Sequence, residues 1–316
     1  DLAEDPNNFE LLCALQPKVL NGHLSTYTLT KGLAEDAVYE YRDHFPIVIN
    51  RPAIVLGAFK DPRPGWMDVD NILSLFGKGW RMGVLRVMLY EDTHELQQVP
   101  LDLPIKALIV APWKKYVQAQ RNVEVHCCRL TTKKMMTNEI FYRAGGNACL
   151  QYPTKHMLWH PFNIITTNYP LYYTLFILLH FIPGVFLDGL LRLSGRRPKL
   201  LRAYRKQWSF TRFCQYDLKK QQRFSTTEFV NLEKFLLDVD KEDFSMDTSD
   251  YDPEVVVADT VRCIVEHMPG WKVSKEDLEK ARAIAQRFKI LHYAVCSVLA
   301  MVAVRILYGF ALWGLR

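Results

Sequence analysis

The sequence lacks the paired cysteines and histidines of a metal site. Its seven cysteines are odd in number and irregular in spacing. That is the pattern of reduced intracellular thiols rather than of a disulfide framework. Cys127 and Cys128 follow His126, but no second ligand pair stands at zinc-site spacing, so no metal is expected. A glycine-rich phosphate fingerprint is missing too. Gly77, Gly79 and Gly83 fall one residue off G-x-G-x-x-G, and Trp80 and Arg81 are bulky where a backbone must approach phosphate closely. No strong excess of one charge is present either. A net charge of +6 does not by itself imply a nucleic-acid partner. Neither an initiator Met nor a signal peptide opens the chain, and Asp1 to Pro6 are acidic and polar. The chain is expected to start inside a longer protein.

What is present begins with size. A chain of 316 residues can bury a sizeable core and is expected to form two domains. A hydrophobic content of 49% is high for a soluble protein and ordinary for one with membrane-seeking segments.

Tyr27 and Lys31 stand four apart in Ser25-Thr26-Tyr27-Thr28-Leu29-Thr30-Lys31, so a helix puts them on one face, a turn apart. A cation held beside a phenol favours the phenolate and makes the hydroxyl a better proton donor to a carbonyl oxygen. With 15 Tyr and 20 Lys, chance supplies about one Tyr-x-x-x-Lys, and the chain holds a second at Tyr216 and Lys220. Context separates them. Ser25 or Thr26 reads as the N-cap of a helix to about Tyr41, with Leu29, Leu33, Ala34, Ala37, Val38 and Tyr41 as its apolar stripe. A β-branched run from Pro46 to Gly57, broken at Pro52, reads as a buried strand. Helix followed by apolar strand is half of a parallel α/β unit. The Tyr216 pair sits in a basic, glutamine-rich stretch with no such strand behind it.

Elsewhere a short helix is expected over 9–16, a loop over Pro17–Gly22, a helix over 103–119, and an edge strand at Val123–His126. A helix is expected over Thr137–Arg143 and a turn at Ala144–Asn147.

The Tyr27 segment, followed by Arg51-Pro52-Ala53-Ile54-Val55, resembles the second half of an extended short-chain dehydrogenase/reductase. Pro64-Gly65-Trp66-Met67-Asp68, Gly77-Lys78-Gly79, Val99-Pro100-Leu101-Asp102 and Ala111-Pro112-Trp113 follow in order, then Phe181-Ile182-Pro183 and Gly195-Arg196-Arg197-Pro198-Lys199-Leu200. This ordered set is similar to the fatty acyl-CoA reductases. The resemblance implies an α/β fold: the second half of a Rossmann-like doubly wound domain, then a mostly α-helical C-terminal domain and a hydrophobic C-terminal helix. It implies boundaries at 1–120, 121–168, 169–268 and 269–316: reductase half, connecting region, helical domain, and linker with membrane tail.

It also implies NADPH as cofactor and long-chain acyl-CoA as substrate, reduced to a primary alcohol. Tyr27 would be the general acid, Lys31 its activator and the ligand of the nicotinamide ribose, and Pro52, Ala53, Ile54 and Val55 the backbone meeting the nicotinamide. The family's glycine-rich loop and its upstream Ser/Thr would lie before Asp1, within roughly 200 preceding residues. These 316 residues alone are therefore expected not to bind NADPH. The stretch Gly77–Gly83 is expected to be a substrate-side loop, even though Asp102 follows where a dinucleotide fold keeps its acid. A membrane dehydrogenase acting on another lipid carbonyl such as a sterol, and a non-catalytic protein of the same fold, are the alternatives.

Two apolar runs bear on the membrane. Leu171–Leu191 is interrupted by Pro183-Gly184 and carries His180 and Asp188, so a buried or interfacial helical hairpin is expected rather than a span. Ile290–Gly314 is long enough for one tilted span, with Arg305 inside. Arg282, Arg287 and Lys289 precede it and Arg316 closes it, which puts the bulk of the protein on the cytosolic side. Between them, Arg192 to Arg223 holds eleven Lys/Arg against Asp217 alone. That reads as an interfacial helix with Leu200, Leu201 and Tyr204 inward, in preference to nucleic-acid binding through Trp208, Phe210 and Phe213. Attraction of acyl-CoA phosphates and a plain solvated face are the other readings, the latter because residues 228–254 hold ten acids against Lys234 and Lys241.

Overall fold

The computed structural model describes residues 9–23, 25–68, 71–91, 93–132, 134–219, 224–267 and 275–314. Asp1 to Pro6, Lys220 and Arg316 lie outside the described residues, as do the side chains of Phe210, Phe213, Tyr216 and Trp313.

The chain runs α1 (Phe9–Leu20), α2 (Thr26–Tyr39), β1 (Val48–Pro52), β2 (Ile54–Leu56), α3 (Ile72–Arg81), β3 (Val87–Leu89), β4 (Gln98–Pro100) and α4 (Asp102–Val117). It continues through β5 (Glu124–Cys128), α5 (Asn138–Gln151), β6 (Ile164–Thr166), α6 (Tyr169–Phe176), a π-helical turn (Ile177–Phe181) and α7 (Ile182–Leu193). The remaining helices are α8 (Leu200–Lys219), α9 (Thr227–Phe235), α10 (Lys241–Phe244), α11 (Pro253–His267) and α12 (Lys275–Gly314). Two compact units result. One gathers 1–51, 105–128 and 226–246; the other gathers 52–104, 129–225 and 247–316.

In the first unit β1 pairs with β5, and the Glu124 N–H donates to the Ile47 carbonyl at 3.2 Å. Trp113 of α4 meets Phe235 of α9 edge-on at 5.1 Å. The Lys114 ammonium lies 3.9 Å from both Glu124 and Glu228. The carboxylate of Glu233 accepts from the Ser245 hydroxyl at 2.8 Å and the Met246 N–H at 2.6 Å. Polar clamps thus do much of the holding here.

The second unit is organised by packing. β2 runs parallel to β4 with Ile54 opposite Gln98, and β3 runs parallel to β6 with Val87 opposite Ile164. All three residues of β3 are buried, as expected of a strand covered on both faces. Its alternation feeds two clusters: Met88 and Tyr90 join Trp80, Leu85, Tyr142 and Cys149, while Val87 and Leu89 join Val84, Tyr172, Phe176 and Tyr204.

Several local expectations are overturned. α1 continues through Pro17 to Leu20 instead of giving way to a loop. The Gly77–Gly83 stretch is no loop: Gly77 and Gly79 lie inside α3, and Trp80 and Arg81 are buried. The buried Arg81 guanidinium donates to the carbonyls of Tyr152 at 2.7 Å and Pro153 at 3.2 Å, and burial lowers its pKa. Ala144–Asn147 is helix, not turn. A Cβ on Gly145 or Gly146 would stand 3.2 Å from the Trp80 ring, so the glycine pair is a slot for that indole. Leu171–Leu191 is no hairpin: α6, the π-turn and α7 form one continuous rod, and the Leu179 carbonyl, four residues before Pro183 and denied its N–H, accepts from the Arg86 guanidinium at 2.8 Å instead.

Candidate active site

The helix start is built as the composition dictates. The Ser25 hydroxyl accepts the Thr28 N–H at 3.2 Å while the Thr28 hydroxyl accepts the Ser25 N–H at 3.1 Å. This reciprocal capping box satisfies two of the donors every helix start leaves open. Tyr27 and Lys31 therefore sit in a pinned first turn and a half. Both are exposed, Tyr27 at 61%, and the Lys31 ammonium lies 5.7 Å from the Tyr27 ring centroid.

Glu35 and Tyr39 continue the same face of α2 at the same four-residue spacing. Glu35 takes a two-point grip from Arg51: Arg51 Nε donates to Oε1 at 2.9 Å and Nη2 to Oε2. This ties the helix bearing the pair to the end of β1. The guanidinium hydrogen bond holds the Glu35 carboxyl below its usual range, against an opposing push from partial burial. Sequence reasoning missed this clamp, although its signal was readable: Glu35 is two turns beyond Tyr27, and Arg51 immediately precedes Pro52. Beside it opens a cavity of about 710 Å³ lined by Asp36, Tyr39, Arg42, Asp43, Ile49, Arg121, Asn122, Val123 and Val125 as well as Glu35 and Arg51. None of these lining residues was anticipated.

Pro52 ends β1, Ala53 joins the strands, and Ile54 and Val55 lie in β2. These four open the second unit, whereas Tyr27 and Lys31 belong to the first. Beyond β2, Gly57 is backed closely by α11, its N–H donating to the Thr260 hydroxyl at 3.2 Å; a Cβ there would stand 2.5 Å from that oxygen. Asp102 is buried and accepts the N–H groups of Phe59, Lys60 and Asp61 at 2.8–3.2 Å. Its role is to fold the turn after β2, not to bind a ribose. Cys149, completely enclosed, has its thiol pushed up to about 12 by burial, which keeps it protonated.

A nicotinamide nucleotide fits part of this arrangement. A phenol and an ammonium on one exposed helix face can meet a carbonyl and ribose hydroxyls. Among the described residues the pyrophosphate has no glycine cradle, because Gly77 and Gly79 are helical and Gly83 turns against the Trp159 carbonyl.

A family model described as "Male sterility protein", of a nicotinamide-dinucleotide-binding type, matches residues 3–108. A second model with the same description matches residues 179–268, from the π-turn to the end of α11. The two lie in the order that the sequence motifs suggested. The chain belongs to the male sterility protein family that these two models describe. Fatty acyl-CoA reductase wat of Drosophila melanogaster is 26% identical over 302 residues, covering 94% of this chain and 57% of that protein. Putative fatty acyl-CoA reductase CG8306 of the same organism is 28% identical over 294 residues, covering 91% and 57%. Fatty acyl-CoA reductase 1 of Homo sapiens is 25% identical over 283 residues, covering 88% and 55%. The chain thus spans about half the length of the curated relatives it matches. As a member of this family it carries a Rossmann-type nicotinamide-binding fold with parallel strands, a mostly helical remainder and a long apolar C-terminal helix.

Proposed function

We propose that this chain carries the proton-donating part of an NADPH-dependent enzyme that reduces long-chain fatty acyl-CoA to a primary alcohol. The observation that carries this is the Tyr27–Lys31 pair, exposed on one face of a capped helix in a chain matched by both family models in order. A bound nicotinamide would supply one hydride in each of two rounds: the first reduces the thioester carbonyl and CoA leaves as its thiol to give the aldehyde, and the second, from a fresh NADPH, reduces the aldehyde to the alcohol. Tyr27 gives its proton to the substrate carbonyl oxygen as charge develops there. Lys31 would favour the resulting phenolate and hold the nicotinamide ribose, and the backbone of Pro52 to Val55 would meet the nicotinamide. The modules we assign are residues 1–120, 121–168, 169–268 and 269–316.

The C-terminal helix supports a membrane location for this chemistry. Glu276–Gly309 contains an 18-residue apolar stretch, none of it buried. At 1.5 Å per residue, α12 is ~60 Å long, ample for one span. Its first half stays with the folded unit: Asp277 pairs with Lys155 at 3.3 Å, and the Trp159 indole donates to His292 at 3.1 Å. We assign the catalytic part to the cytosolic side, with an acyl substrate reached from lipid.

The test is Tyr27→Phe in the full-length protein, with fatty alcohol followed from acyl-CoA and NADPH. Alcohol formation is expected to fall ~10²–10⁴-fold, the usual worth of a general acid, with acyl-CoA binding kept. Turnover retained within a factor of three removes Tyr27 from its role. Faster reduction of a ketosteroid than of acyl-CoA would move the assignment to a sterol carbonyl.

A further inference from the structure

The rod made by α6, the π-turn and α7 has a burial pattern that ordinary helices do not keep. Its buried residues are Tyr172, Phe176, His180, Gly184 and Asp188, every fourth residue over the whole length. At 100° per residue a four-residue stripe drifts about 40° per step and would wind to the far side of a plain α-helix. The wider π-turn at the centre takes up part of that drift. One narrow stripe therefore stays against the protein from end to end. Tyr172 and Phe176 pack into the cluster of Tyr204 and Trp208. His180 Nε2 accepts the Arg86 N–H at 3.2 Å. Gly184 admits the Tyr204 ring, which a Cβ would meet at 3.0 Å. Asp188 accepts the N–H groups of Lys199, Leu200 and Leu201 at 2.9–3.0 Å, capping α8.

The two polar residues that would be costly in lipid are thus turned inward, where His180 Nε2 and both Asp188 oxygens accept backbone N–H groups. The opposite face is apolar: Ile177, Phe181, Ile182, Val185, Phe186 and Leu190 are 45–64% exposed. Contiguous patches of this kind mark interaction surfaces. The rod is attached along its full length, so it cannot cross a bilayer as a free span. The chain leaving it is basic and exposed at Arg196, Arg197, Lys199, Arg202, Arg205 and Lys206, with no acid from 192 to 206.

We infer that this face lies in the plane of a membrane, its apolar side chains sunk to the acyl boundary, while the adjoining basic segment holds anionic headgroups. The occupant is an anionic phospholipid surface. The apolar row supplies insertion over its whole length, and an anionic headgroup surface supplies the charge complement to the basic row, which a second copy of this equally basic face does not. The inference does not depend on which carbonyl the protein reduces. It gives the folded unit a second lipid contact beside the C-terminal helix, fixing the unit's orientation on the surface.

The test places an environment-sensitive fluorophore, carried by a non-canonical residue, at positions 171, 181, 186 and 190 in turn. The full chain is reconstituted in vesicles of phosphatidylcholine with or without about 30% phosphatidylserine, and bromine-labelled lipids report depth. An in-plane rod gives one shallow depth at all four positions. A maximum depth at 181, with shallow ends at 171 and 190, means a span and overturns the inference. No quenching at any position means the face is not on lipid and overturns it too, as does crosslinking between copies at 186. The triple variant Arg196→Glu/Arg197→Glu/Lys199→Glu leaves the Asp188 cap intact, since Lys199 contributes only its backbone N–H. Each lost charge weakens attachment about fivefold, so the anionic-lipid preference at 186 should fall more than ~100-fold, with an unchanged circular dichroism melt. Undiminished preference for anionic lipid in that variant overturns the role of the basic row. Phe186→Ser, which alters only the exposed face, should make quenching at 181 shallower; an unaltered depth counts against insertion.

Discussion

Helices α2 and α5 have the same length and the same kind of start, and opposite surroundings. Each is 14 residues long with a hydroxyl N-cap, Ser25 or Thr137, accepting the N–H three residues on. α2 has no buried residue, while α5 buries Asn138, Tyr142, Ala144, Gly145, Ala148 and Cys149. Their apolar positions differ accordingly. Leu33, Val38 and Tyr39 on α2 are 44–57% exposed, whereas Tyr142 on α5 stacks on Tyr90 at 4.3 Å and meets Trp80 at 5.6 Å. Local chemistry makes both helices, but packing decides what each is for. α5 holds the core of its unit. α2 displays Tyr27 and Lys31 on an exposed face, and it is held by a cap and one two-point ion pair instead of by burial.

Changes on the α5 side should cost stability. Trp80→Ala empties the slot formed by Gly145 and Gly146 and is expected to destabilise by ~3–5 kcal/mol in urea denaturation. A loss below ~1 kcal/mol would mean that α5 is no better anchored than α2. Next comes Gly145→Ala. Helix propensity alone predicts a gain of up to ~1 kcal/mol. The new methyl would stand 3.2 Å from an indole already fixed by Phe76 and Tyr142, so a net loss of ~1 kcal/mol is expected from the same titration. A stabilised variant would show that propensity, not packing, governs the glycine pair.

Changes on α2 should be smaller and local. Ser25→Ala removes the capping box at a cost of ~1 kcal/mol, read as about fivefold faster hydrogen exchange of the amides at 26–30. Glu35→Gln is the smallest. The folded carboxylate is held below its unfolded range, so its contribution is present above that unfolded range and disappears as pH falls through the lower folded value. Arg51 is half exposed, so screening limits the effect to ~0.5 kcal/mol. Thermal melts of the variant should lose the part of the acid-side slope that Glu35 supplies; an unchanged slope would remove the clamp from the account of how α2 is held.

The chain's local grammar was legible in unequal measure. The N-cap at Ser25, the interruption of the strand run beside Pro52 and the strand after Val123 follow from hydroxyls, imino rings and β-branched residues acting over a few positions, and the structure has them there. The glycine stretches were misjudged. Gly77-Lys78-Gly79 and Gly145-Gly146 carry loop-like propensity, but a partner far away in sequence, the Trp80 indole for the second pair, makes helix the cheaper state. The Asp102 carboxylate was noted for its distance from a glycine motif, and it serves the backbone of Phe59 to Asp61 instead.

The sequence by itself determined the ordered family motifs, the spacing of Tyr27 and Lys31, and the two apolar runs, because each is a matter of residue type at short range. Tertiary structure alone decided three things: that Arg51 grips Glu35, that Gly145 and Gly146 receive an indole, and that His180 and Asp188 face the protein along a stripe kept straight by a π-turn. These pair residues from 11 to 94 positions apart in the chain. Such distances lie beyond the reach of any propensity or periodicity, and only packing and hydrogen-bond satisfaction select among them.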